Sequence, residues 1–192
     1  MKYPIQSGFI ICGAKTGILH CRMAFDRRRK VLIEMWSSIC YPFCEGDTVE
    51  LCVKKFEELS NEELYEILRA RVNIFVVEQK CAYPEIDGKD QKAYHVFLKE
   101  DQVIHAYLRV LDRGISYDEV SIGRVLTTAR GKGLGAKIMD AGIKTAENKL
   151  HAAKIRIEAQ VYAKGFYEKF GFKQVSDAYP VDGIPHIQML RE

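Results

Sequence analysis

The stretch that most constrains this chain is Arg130-Gly131-Lys132-Gly133-Leu134-Gly135-Ala136. Glycines at alternate positions free the backbone for positive φ and for close approach to a ligand. Tyr117 to Leu126, just upstream, reads as a strand. Gly133 to Leu150 reads as a helix, with Leu134, Ile138, Ala141 and Thr145 on one face. Ile155 to Val161 follows as another strand. A strand, a helix and a strand in succession imply a parallel pair with a helical crossover, which fixes an α/β sheet. The loop then sits at the strand-to-helix turn, where free N–H groups and the positive end of the helix dipole attract an anion. Arg130 and Lys132 add charge, so the segment has the makings of a pyrophosphate cradle.

Several ligands use such a loop. A P-loop ends in Gly-Lys-Ser/Thr, and this one ends Gly-Ala-Lys-Ile, so it fails that test. Gly131, Gly133 and Ala136 fit the dinucleotide pattern Gly-x-Gly-x-x-Ala. Only 56 residues follow Ala136, too few for the rest of a dinucleotide-binding domain. A glycine-rich helix start without any ligand also remains open.

The other elements place this unit in a larger sheet. Val49 to Lys54 alternates like a strand. Ser60-Asn61-Glu62-Glu63 is a capping box, and the helix it opens carries Leu64, Ile67, Leu68, Val72 and Phe75 at helical spacing. Cys81 to Gln91 reads as a polar loop, Ala93 to Leu98 and Val103 to Leu111 as hairpin strands. Ala163 to Phe170 reads as a short helix, with strands at Phe172 to Ser176 and Ile187 to Leu190. The expected order is β-α-β-β-β-α-β-α-β-β in a mixed sheet.

Charge divides the 192 residues unevenly. The formal net charge is +3, and all of that excess lies in residues 1–47, with seven basic and four acidic groups. Residues 48–192 hold 22 of each sign. A neutral main body argues against nucleic acid as a partner. No apolar run reaches the ~18–20 residues that span a bilayer. Scattered cysteines in a chain of this length do not read as a disulfide framework, which points to a cytoplasmic protein with reduced thiols. Four of the six lie in the first 47 residues, and Cys40-x3-Cys44 with His20 and Cys21 lacks a common zinc spacing. No metal is expected. Arg27-Arg28-Arg29-Lys30 is read as a solvated face. Residues 1–47 are expected to be an extension, disordered or foreign to the native protein, because composition shifts abruptly near Asp47.

The loop resembles the acyl-CoA loop of the GNAT superfamily of N-acyltransferases, through Arg130-x-x-Gly133-x-Gly135. Ala159 to Phe172 is similar to the second half of that fold. More narrowly, four motifs resemble the ElaA-type branch: Phe75-Val76-Val77-Glu78-Gln79, Tyr83-Pro84-Glu85-Ile86-Asp87-Gly88, Ile122-Gly123-Arg124-Val125 and Asp182-Gly183-Ile184-Pro185-His186. The resemblance covers residues 49–192 and implies a single GNAT-type domain over 48–192.

That resemblance implies direct transfer of an acetyl group from acetyl-CoA, as co-substrate, to an amine of unknown identity, on a small molecule or a protein. Arg124, Val125 and Leu126 are expected to pair with the pantetheine arm through their backbone. A backbone N–H on the Val125 strand would polarise the thioester carbonyl. The amides of Arg130, Gly131, Lys132, Gly133, Leu134 and Gly135 are expected to meet the pyrophosphate. Tyr167 stands where the family's tyrosine commonly protonates the thiolate, although it also has aromatic neighbours to pack against. Glu78 and His186 are the candidate bases. His95 and His105 read as structural, and Cys81 as a packed thiol. Neither a membrane nor a nucleic acid partner is implied; the chain is expected to be a monomer or a homodimer. Two rivals stand beside this reading, a non-catalytic acyl-CoA-binding module and an acyltransferase using a longer acyl chain.

Overall fold

The computed structural model describes residues 49–192 and, upstream, only the strands β1 (Ala24–Asp26) and β2 (Val31–Ile33). The chain divides into two units, Met1–Glu45 and Gly46–Glu192. In the first, β1 pairs antiparallel with β2, Ala24 opposite Ile33. His20, Cys21, Cys40, Cys44 and the run Arg27 to Lys30 lie outside the described residues.

The second unit begins with β3 (Glu50–Lys55) and α1 (Asn61–Arg71). The capping box forms: Ser60 Oγ accepts from the Glu63 N–H, and Glu63 Oε2 accepts from the Ser60 N–H. At Val72 the α-helix gives way to a π-helical segment, Val72–Glu78. Amides there reach five residues back, Gln79 to the Ile74 carbonyl and Cys81 to that of Val76. Such widened turns commonly mark functional sites. The hairpin strands are β4 (Ala93–Glu100) and β5 (Val103–Leu111), followed by β6 (Val120–Thr127).

α2 (Leu134–Leu150) crosses over to β7 (Ile155–Gln160). Then come α3 (Lys164–Glu168), β8 (Lys173–Gln174), β9 (Tyr179–Val181) and β10 (Ile184–Arg191). Sequence reading missed β9 and began the last strand at Ile187. Val181 and Ile184 flank a two-residue turn, Asp182-Gly183, with φ of 49° and 81°. Both values are positive, as a type I′ hairpin requires, and Asp-Gly is its favoured pair. Pro180 sits opposite Pro185, where neither can donate to the ladder.

The sheet runs β3-β4-β5-β6-β7-β10-β8, with β9 beside β10. It is antiparallel except for β6 and β7, which run parallel. That pair is short: only Val120 with Ile155 and Ser121 with Arg156 are in register. Beyond those residues the two strands part, and a cleft opens between them. α2 covers one face, burying Leu134, Ile138, Met139 and Ile143 on Leu108, Val110, Ile122 and Ile157. α1 covers the other face only over the first strands, where Ile67 and Ala70 pack with Phe97, Tyr107 and Leu126.

Candidate active site

β6 bends at the cleft. Tyr107 pairs with Leu126 and Arg109 with Gly123, so Arg124 and Val125 together oppose the single residue Leu108. This is a β-bulge, and Arg124 takes a φ of 56° there. A side chain in that left-handed region costs roughly 1–2 kcal/mol. The bulge leaves Arg124 and Val125 without register partners on β5, at the edge of the opening.

A cavity of about 300 Å³ fills the opening. Its walls bring together Val125 and Leu126 of β6, Ile157, Glu158 and Gln160 of β7, Ile74 and Phe75 of the π segment, and Asp182 and His186 of the β9–β10 hairpin. Tyr167 and Arg130 also line it. Residues up to 112 positions apart in the chain therefore face one another, because the crossover carries α2 past the cleft.

Of the glycine loop, Arg130 lines the cavity, and residues 131–135 are not among its walls. Gly131 and Gly133 have φ of 79° and 72°, conformations in which a side chain is strained. Ala136 and Lys137 donate to the Gly133 carbonyl, so α2 starts there. The earlier amides of Leu134 and Gly135 have no intrahelical acceptor and remain available to a ligand.

Tyr167 packs edge-on to Phe166, ring centroids 5.1 Å apart, and against Phe172. Burial, with a smaller push from Tyr162, holds its phenol well above the usual tyrosine range, so the hydroxyl keeps its proton at neutral pH. His186 Nδ1 lies 2.7 Å from the Ile184 carbonyl. A carbonyl only accepts, so Nδ1 carries the hydrogen and the neutral ring has its lone pair on Nε2. Glu158, exposed on β7, accepts from the Tyr179 hydroxyl at 2.7 Å. Cys81 donates Sγ–H to the Asp182 carbonyl at 3.4 Å and lines the same cavity.

Glu78 stands apart from this group. It lines a neighbouring cavity of about 560 Å³ with Asn73, Thr127 and Thr128, and is ion-paired to Arg130. Both partners are largely exposed, so the pair is worth at most about 1 kcal/mol. Arg130 faces both cavities.

Under the loop Cys81 to Gln91 lies a buried ionic network. Arg71, fully buried, donates Nε to Glu85 Oε1 at 2.6 Å and Nη1 to Asp90 Oδ1 at 2.8 Å. Arg109 donates to both Asp87 oxygens, at 2.8 and 2.6 Å, and to Asp90 Oδ1 at 2.8 Å. Arg124 completes it, its Nε 2.7 Å from Glu85 Oε2. Three guanidinium groups meet three carboxylates, so the burial is neutral overall. Asp87 and Asp90 are pushed up by burial, but the arginines outweigh that and hold both below the usual carboxylate range. His95 joins through Asp90 and Tyr107; burial lowers its pKa and keeps it neutral, in line with a structural histidine. From sequence this segment reads as a polar loop carrying the Tyr83 to Gly88 motif, with no ionic network in view. The partners are 14 to 39 residues apart, so no local spacing announces them. Glu158 and Gln160 were also missed as cavity residues; their alternation with buried Ile157 and Ala159 on β7 was the available signal.

Among the described residues no group of three or more His, Cys, Asp or Glu is placed to hold a metal. Among them, too, no helix is long and apolar enough to cross a membrane.

Comparison with known proteins agrees with this geometry. The acetyltransferase (GNAT) domain family matches residues 56–192. A UPF0039 protein of Schizosaccharomyces pombe is 40% identical over 148 residues, 75% of this chain and 97% of that protein. The crystal structure of an acyl-CoA N-acyltransferase from Pseudomonas aeruginosa superposes with a TM-score of 0.72 at 37% identity, covering 76% of this chain and all of that one. Escherichia coli ElaA superposes with a TM-score of 0.71 at 34% identity and the same coverage. With the split sheet, the bulged strand and the glycine loop at the helix start, these matches make the chain a member of the GNAT acetyltransferase family, in its ElaA-type branch.

Proposed function

We propose that this protein transfers an acetyl group from acetyl-CoA directly to an amine, and that residues 48–192 carry the activity, with 1–47 as an extension. The observation that carries this reading is the cleft between β6 and β7. It brings Arg130, where the glycine loop begins, to one cavity with Tyr167 and His186.

Each residue has a chemical task. The amides of Arg130 to Gly135 hold the pyrophosphate, and the free backbone edge of Arg124, Val125 and Leu126 pairs with the pantetheine arm. The co-substrate supplies an activated thioester. The Val125 N–H donates to its carbonyl oxygen, where negative charge develops; preorganised donors of this kind contribute roughly 10²–10³ in rate. His186 Nε2 takes a proton from the incoming amine. As the C–N bond forms and the C–S bond breaks, Tyr167 gives its proton to the leaving thiolate. Its place in the cavity wall, beside His186, supports that role. Glu78 is the weaker base candidate, being tied to Arg130 outside this cavity. Cys81 hydrogen-bonds to a carbonyl as the neutral thiol, which supports direct transfer without an acyl-enzyme. Use of acetyl-CoA also supports the expectation of a cytoplasmic protein.

Thermal denaturation with acetyl-CoA, CoA and NADH tests the reading, followed by a panel of amines read by CoA release. Acetyl-CoA at ~100 times its Kd stabilises the fold by about 2.7 kcal/mol and raises Tm, and NADH does not. No rise at millimolar acetyl-CoA overturns the proposal.

A further inference from the structure

The bulge on β6 is held in an unfavourable backbone conformation, and the contacts that hold it come from the buried ionic network. Arg124 has φ 56°, which a residue with a side chain adopts only when its surroundings enforce it. Its guanidinium reaches away from the cleft edge to Glu85: Nε is 2.7 Å from Oε2, and Nη2 donates to the Glu85 carbonyl at 3.3 Å. Nη2 also lies 3.6 Å from Asp87 Oδ2, and the Tyr83 ring sits 5.7 Å beneath the group. The Nε–H is buried and poorly aligned for a hydrogen bond, so charge attraction and packing carry the contact.

Glu85 is fixed in turn. One oxygen takes the Arg71 Nε–H at 2.6 Å, and the other accepts from the Tyr83 hydroxyl. Arg71 is anchored at the end of α1 and shares Asp90 with Arg109 of β5. In register the bulge lies beside Leu108 of β5, whose side chain packs with α2 close to Gly142. The residue after Arg124 is Val125, whose amide is the proposed donor to the thioester carbonyl.

We infer that Glu85 is a positioning residue for acyl transfer, acting through Arg124 to hold the β6 bulge so that the Val125 N–H points at the thioester carbonyl. The inference rests on the acyl-transfer reading of the cleft. It assigns a task to the Tyr-Pro-Glu-Ile-Asp-Gly segment that is otherwise only a loop: residues 83–87 form a strut between α1 and the reacting edge of β6. It also makes Arg124 a tether whose side chain acts on its own backbone rather than on a ligand.

The test uses the full chain with acetyl-CoA labelled at the carbonyl carbon, read by isotope-edited infrared spectroscopy. No acceptor amine is needed. Binding is first verified by thermal shift for every variant. In the native protein the thioester carbonyl band lies below that of free acetyl-CoA, because the amide polarises it. In Glu85→Gln and Arg124→Ala the band returns at least halfway to the free position, and slow CoA release falls by ~10²-fold. Arg124→Gly recovers most of the native band position relative to Arg124→Ala, because glycine takes φ 56° without a tether. In the Arg124→Gly background, Glu85→Gln adds less than a twofold further effect.

The outcomes separate the two claims. A native band unshifted from free acetyl-CoA, with the ligand bound, overturns the polarising role of Val125 in the proposed function. A shifted native band that Glu85→Gln and Arg124→Ala leave in place overturns the positioning role. Equal loss in Arg124→Ala and Arg124→Gly also overturns it, since the guanidinium would then act on the ligand itself. Should Glu85→Gln fail to fold, the Arg124 pair decides alone.

Discussion

In the proposed mechanism Tyr167 and His186 carry the proton transfers. The phenol is kept protonated by burial, and the imidazole is kept in one tautomer by a backbone carbonyl. Tyr167→Phe removes the acid while keeping the ring that packs on Phe166, so kcat falls by ~10²-fold with Tm close to native. Steady-state kinetics with any amine that supports turnover, beside a melting curve, checks this; unchanged kcat in folded protein removes Tyr167 from the mechanism. Glu63 gives a residue-scale test of stability. Burial pushes its carboxyl up, but Lys54 at 2.8 Å, the Ser60 amide and Lys99 at 3.0 Å outweigh that and hold it at about 2. Its folded pKa lies below its unfolded value of 4.5, so its contribution is complete above pH 4.5 and disappears as pH falls towards 2. Urea unfolding is expected to show Glu63→Gln less stable than native at pH 7, with the gap narrowing below pH 4.5. A gap that stays constant to pH 2.5 contradicts this.

At the scale of elements, α2 and β5 depend on each other through one close approach. A Cβ built on Gly142 falls 2.6 Å from Leu108 Cδ2 and 2.9 Å from Cδ1. In an exposed helix, glycine to alanine gains about 1 kcal/mol. Here the neighbour is a fully buried leucine opposite the bulge, and overpacking costs about 1–3 kcal/mol. Gly142→Ala is therefore expected to lower Tm by several degrees and weaken acetyl-CoA binding, measured by melting curves with and without ligand. Most of the element order was legible in the sequence. The capping box at Ser60 fixed the start of α1, and the glycine loop fixed the turn into α2. Three things were not. The change to π geometry at Val72 keeps an apolar pattern much like an α-helix, so periodicity runs straight through it to Phe75. β9 hides behind Pro180 and Pro185, although Asp182-Gly183 is a visible hairpin signal. The bulge at Arg124 was not legible within the Ile122 to Val125 motif, because nothing in it announces a positive φ and Glu85, which Arg124 contacts, lies 39 residues away.

For the whole molecule, the family match lies within the second unit, Gly46–Glu192. Matching 75% of this chain accounts for 97% of the Schizosaccharomyces pombe relative, so the family's machinery fits within the second unit. A chain shortened to residues 46–192 is expected to bind acetyl-CoA with a Kd within about twofold of the full chain. Calorimetry of both decides it, and a tenfold loss gives the extension a part in the site. The most deeply buried residue of the ionic network is Arg71, which no motif singled out. Fully buried and joined to Glu85 and Asp90, it links α1 to the loop beneath the cleft. Truncating one partner of a buried charged cluster costs about 3–5 kcal/mol, so Arg71→Ala is expected to show the largest loss in urea unfolding of any variant named here. A loss below 1 kcal/mol refutes that.

The two register pairs between β6 and β7 have a further consequence. Elsewhere each strand of this sheet is stitched to its neighbour by main-chain bonds along most of its length; at the cleft the seam is left unsewn. A ligand that pairs with the free edge of β6 acts as a length of foreign strand, finishing the weave from outside. Amides from Ile122 to Thr127 should then exchange with solvent far more slowly when acetyl-CoA is present. On the proposed reading, the bound ligand would become part of the cloth, and the sheet would be continuous only while it is held.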